Sequence, residues 1–159
     1  MVFTDVELRN AVRHLAFDMS HFRLYAGVHE GRTHQTGLCS QAITYSLLLH
    51  FRLLLHFFYG KPKGDDCCVD HFRVLPGFDV AFPSSNPPVW EKELRQHLNK
   101  RLAHFTATRW NENAPSMNYY ASHFTHVLAQ ISAFERAVPG EVGNHFRTHM
   151  RDWENRYQK

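Results

Sequence analysis

The run Leu47-Leu48-Leu49-His50-Phe51-Arg52-Leu53-Leu54-Leu55-His56-Phe57-Phe58-Tyr59 is apolar nearly all round. Leucine dominates it and β-branched residues are nearly absent, which favours helix over strand. A helix apolar on every side has neighbours on several sides, so this segment belongs at the centre of a helical fold. The run is shorter than the roughly 18–20 residues a membrane span needs, and His50, Arg52 and His56 interrupt it. It reads as a buried helix that starts near Leu38 and stops at Gly60.

The flanking sequence supplies its partners. Thr4-Asp5-Val6-Glu7 has the form of a capping box, in which the threonine oxygen and the glutamate carboxylate each satisfy an orphan backbone N–H. Leu8, Val12, Leu15, Met19, Phe22 and Ala26 then step by four and three, the spacing of one helical stripe, up to a stop near Gly27 or Gly31. Five of the seven prolines lie between Pro62 and Pro88, with Gly60, Gly64 and Gly77 beside them. That composition predicts a long irregular connection, with a short turn of helix around Cys68 to Phe72 that Asp65 and Asp66 cap. A third helix is expected over Val89 to Phe105, with Leu94, Leu98, Leu102 and Phe105 on its apolar face. A fourth follows Pro115-Ser116, carries Tyr120, Phe124, Val127, Ile131, Phe134 and Val138, and ends at Pro139-Gly140. A fifth, Glu141 to Tyr157, places Val142, Phe146, Met150, Trp153 and Tyr157 on one side. The expected architecture is a single all-α domain over residues 1–159. It is an up-down antiparallel bundle of four to five helices with a long irregular loop between helices 2 and 3.

Composition narrows the class. Charged residues make up 21% and hydrophobic ones 43% of the 159, which excludes a mainly disordered chain. A net charge of +3 is compatible with a nucleic-acid partner without demanding one. The cysteines are Cys39, Cys67 and Cys68, an odd number with no C-x-x-C, so neither a disulfide framework nor a thiolate zinc site is indicated. The N-terminal residues lack the basic and apolar regions of a signal peptide, and the expectation is a cytoplasmic protein with reduced thiols and no membrane partner.

Three groups of residues could carry chemistry. The chain has 13 histidines; His123 and His126 are three apart, His145 and His149 four apart, and His14 and His21 seven apart, so each pair shares a helical face. A bundle metal site would need three or four such ligands converging from different helices, and neither H-E-x-x-H nor E-x-x-H occurs. The vicinal Cys67-Cys68 follows two carboxylates, which raise a thiol pKa and oppose a redox role. On the third helix, His97, Arg101 and His104 fall along one flank with Lys100 beside them. Arginine near histidine suits RNA cleavage: imidazole moves a proton while guanidinium holds the phosphate and its developing charge.

At these residues a resemblance enters. Leu98-Asn99-Lys100-Arg101-Leu102-Ala103-His104 resembles the signature region of HEPN-domain proteins, in which an arginine precedes an Ala-His step by four to six residues within an all-α bundle. The stretch Phe51 to Gly60 is similar to the preceding helix of such bundles, an arginine followed by a Phe-rich end. Asp65-Asp66 and Phe72 sit where some HEPN-like bacterial proteins carry acidic residues before an aromatic one. The likeness covers roughly Gln41 to Arg109. It implies a homodimer that binds RNA or cleaves it without metal or other cofactor, in bacterial defence or a toxin–antitoxin system, with a cognate antitoxin as a further protein partner. Carried over by position, His104 matches the family histidine. Asn99 stands where the arginine is expected, a departure that argues against nuclease activity because an amide has no charge to offer a phosphorane. Arg101, Arg109 or Arg52 are the substitutes within reach of the motif, and Arg52, His97 and Lys100 the expected RNA contacts. Two other readings fit the same residues: a metal-binding bundle using some of His14, His21, His123, His126, His145 and His149, and a non-catalytic interaction module with Phe-rich surfaces.

Overall fold

A computed structural model describes residues 3–30, 38–61, 63–64, 66–84, 86–99 and 121–157, and these are all-α, with no strand among the described residues. The helices are α1 (Asp5–Glu30), α2 (Leu38–Tyr59), α3 (Phe78–Ala81), α4 (Glu91–Leu98), α5 (Ala121–Ala137) and α6 (Gly140–Tyr157), with a 3-10 segment, Val69–Val74, before α3. The predicted third helix is thus observed over Glu91–Leu98; its continuation to Phe105 and the start of the fourth after Pro115 lie outside the described residues.

The capping box of α1 forms as its sequence dictates. The Thr4 backbone N–H donates to Glu7 Oε2 at 2.8 Å and the Glu7 N–H donates to Thr4 Oγ1 at 3.3 Å. The Thr4 backbone N–H holds the Glu7 carboxyl below its ordinary range, helped by the Thr4 hydroxyl, which donates to Glu7 Oε2 at 2.9 Å. Thr4→Ala leaves an orphan donor at the helix start and is expected to lower Tm by about 2–4 °C, measured by circular dichroism.

The centre of the fold is aromatic. Leu47, Leu48, Phe51, Leu54, Leu55, Phe57 and Phe58 of α2 are buried against α1, α5 and the 3-10 segment. The 18-residue window Ala42–Tyr59 is long and apolar enough to cross a membrane by length and composition, although the leucine-rich half read alone is not. Phe134 of α5 is fully buried, with the rings of Phe57, Phe58, Phe72, Phe78, Phe82 and Phe146 around it at 5.0 to 6.3 Å.

Residues 60–88, expected as an irregular connection, therefore supply part of the core. Val69, Phe72, Leu75, Phe78 and Phe82 are buried, and two short helical pieces position them. The cap of the 3-10 segment is Cys68 with His71, whose Nδ1 accepts the Cys68 backbone N–H at 3.1 Å; Asp66 is turned to another task, and Asp65 lies outside the described residues.

Helices α5 and α6 are joined by a two-residue turn, Val138 and Pro139. Gly143 lies so close to this turn that a Cβ there would meet the Val138 carbonyl oxygen at 2.0 Å, and Arg147 Nη1 donates to the carbonyls of Glu135 and Val138. Helix α2 runs opposite to α4. A wholly antiparallel bundle does not describe α1 and α6, however: Arg9 pairs with Glu141, Ser20 meets Met150 and Arg23 pairs with Glu154, an order that requires these two helices to run parallel. They pack on each other more extensively than any other pair. Arg23 ties a third helix in, its other nitrogen donating to Glu135 of α5 at 2.8 Å.

Candidate functional site

With Leu94 and Leu98 buried in the core, the flank of α4 next to them faces α2. Positions 91, 95 and 99, one turn apart, then face positions 52, 56 and 59 of α2. Between them lies a pocket of about 360 Å³ lined by Arg52, Leu53, His56, Asp66, Arg95 and Asn99.

Each polar group in the pocket is held. Arg52 Nε donates to Asn99 Oδ1, leaving the two terminal guanidinium nitrogens outside that bond. Arg95 Nε donates to Glu91 Oε1 at 2.6 Å; Glu91 is only 3% exposed, so this ion pair is largely withdrawn from water on its acidic side. His56 Nε2 meets Asp66 Oδ2 at 3.3 Å, a carboxylate that orients the ring. Two guanidinium groups and one imidazole thus line the pocket, against the carboxylates of Asp66 and Glu91. An anion entering between Arg52 and His56 meets donors from both. An imidazole steadied by a carboxylate beside a fixed guanidinium can also move a proton next to a phosphate.

The pocket borders a second polar cluster. Tyr59 Oη and His126 Nε2 are 2.6 Å apart, and Trp90 stacks obliquely on His123 at 4.4 Å and edge-on to His126 at 5.5 Å. Burial pushes the Tyr59 phenol up to about 12, with the Glu91 carboxylate adding to it. Burial also lowers His126 and His123, the latter further through His126. At neutral pH Tyr59 is the donor and His126 the neutral acceptor, which puts the His126 proton on Nδ1.

Of the residues singled out from the sequence, Arg52 and Asn99 are brought into direct contact although 47 positions separate them. His97 is half-buried on α4 and is not part of the pocket lining. Lys100, Arg101, His104 and Arg109 lie outside the described residues. Sequence reasoning passed over His56, Asp66, Arg95, Glu91 and Tyr59. Arg52 with His56, and Glu91 with Arg95, are i, i+4 pairs, the one local signal that could have marked them.

The histidine pairs expected for a bundle metal centre are dispersed. His14 is exposed on α1, His21 packs on His50 and Trp153, His123 and His126 lie against Trp90, and His145 and His149 are on α6. Among the described residues no group of three or more His, Cys, Asp or Glu side chains could hold a metal ion. The Cys67 thiol is pushed up to about 11, by burial first and then by Cys68. Cys68 is also raised, chiefly by burial, so the direction expected from the neighbouring carboxylates is observed while its main cause is desolvation.

No family model, no curated protein and no solved structure matches this chain.

Proposed function

We propose that the chain is a HEPN-like helical bundle that binds RNA without metal, through the groove between α2 and α4. The observation that carries this reading is the Arg52–Asn99 contact. The asparagine at the motif's arginine position holds a guanidinium from the neighbouring helix, so the positive charge missing from position 99 is supplied there by Arg52. A phosphate diester has the charge and acceptor oxygens to take the remaining guanidinium N–H groups. The reading includes a homodimer. In its support, Tyr45, Leu49 and Leu53 make an exposed apolar stripe along α2, 55%, 44% and 39% accessible, and Leu53 is shared with the groove.

Fluorescence anisotropy with labelled single-stranded RNA, in EDTA and over a range of salt, tests the proposal. Arg52→Ala is expected to weaken binding about tenfold and to reduce the slope of log K against log salt by about 0.7, the loss of one phosphate contact. Arg136→Ala, an exposed arginine on the far part of α5, is the control and should change little. RNA affinity that ignores both salt and Arg52→Ala would overturn the reading, as would no affinity at all. Any cleavage in EDTA should fall with His104→Ala.

A further inference from the structure

The surface of α6 carries an arrangement that the RNA groove does not involve. His145 and His149 are one turn apart, and their Nε2 atoms share a hydrogen bond of 3.2 Å with the rings nearly perpendicular at 89°, so a cation would take the place of the proton between them. Two nitrogens bound to one cation at about 2.0–2.1 Å are separated by about 2.9 Å at a right angle and about 3.3 Å at the tetrahedral angle. The observed separation falls inside that interval. The helix backbone fixes both Cα positions, so no ordering of the main chain opposes a shared ligand.

We propose that His145 and His149 chelate a single late first-row divalent cation, with copper(II) held more tightly than zinc(II) and water completing the coordination. The preference follows from imidazole donors and the general order of affinities among these metals. Two protein ligands suffice for a surface chelate, the remaining positions being open to water. Charges around the pair act in both directions. Arg13 from the packed helix α1 opposes a cation, while Asp152, one turn past His149, favours it.

The test is titration of the full chain, purified without a histidine tag, with copper(II) sulfate and separately with zinc(II) chloride, followed by calorimetry. One equivalent is expected to bind in the tight phase. His145→Ala and His149→Ala should each lose about a hundredfold in affinity, the advantage of a second ligand on the same scaffold, while His14→Ala should not. Electron paramagnetic resonance of the copper form should show two coordinated nitrogens, reduced to one in either variant. Both substitutions are at the surface, and circular dichroism verifies that the helices persist. Equal affinity in wild type and both variants, a one-nitrogen spectrum in wild type, or no saturable binding would each overturn the proposal, whatever the outcome for RNA.

Discussion

Phe134→Ala is expected to destabilise the protein by about 3–5 kcal/mol and to lower Tm by roughly 10 °C or more. The size follows from position. Phe134 is fully buried, and its ring is met edge-on or nearly so by aromatic side chains from α2, the 3-10 segment, α3 and α6. Truncation removes the transfer free energy of one large side chain and leaves a cavity whose walls are rigid rings, poorly able to collapse into it. It also removes several favourable aromatic edge contacts at once. Phe3→Ala offers the comparison. Phe3 is only partly buried and stands against a single ring, that of His71, so its loss should be markedly smaller. Urea unfolding followed by circular dichroism decides between them; comparable losses at the two positions would remove Phe134 from the centre of the core.

The second large effect is a loss of stability between about pH 7 and pH 5. His21, His123, His126 and His149 are all shifted below the ordinary histidine range, each chiefly by burial. At His21 the Phe17 carbonyl and Asp18 work against the shift while His50 works with it. The sign follows from proton uptake. Above about 6.5 these rings are neutral in both folded and unfolded chains, and stability is unaffected. As pH falls below that value the unfolded chain takes up protons that the folded one refuses, so stability falls until the lower folded-state pKa is passed. A Tm lower by about 5 °C or more at pH 5.5 than at pH 7.5 is expected. Glu7 cannot produce it: its contribution is present above the unfolded carboxyl value near 4.5 and is lost only below that. A flat Tm over this interval would show that the four rings are protonated as easily in the fold as outside it.

The helices were legible in the sequence because their signals are local. The Leu8-to-Ala26 stripe, the leucine run ending at Gly60 and the cap at Thr4 each depend on residues within one element, and the structure places α1 and α2 where those signals put them. Residues 60–88 were not legible as core. Phe72, Phe78 and Phe82 are spaced six and four apart, but Pro76-Gly77 interrupts any single helix or strand that could carry all three, and it is packing on Phe134 that makes them inward-facing. The parallel pairing of α1 and α6 is a matter of surface fit, as between Ser20 and Met150, which periodicity does not encode. The candidate site divides in the same way. Arg52 and Asn99 could each be assigned to a face of its own helix, yet nothing local says that the two faces meet. His56 acquires a role from Asp66, ten residues away through a turn.

The parallel association of α1 with α6 bears on how the chain is made. Arg9 and its partner Glu141 are 132 residues apart, so at ordinary translation rates roughly 7–26 s pass between their appearances. Throughout that interval the first helix can pack on α2 but lacks α6, the partner it meets most extensively among the described residues. Conditions that slow elongation would lengthen the period in which the first helix has its early neighbour α2 but not its late one to pack on.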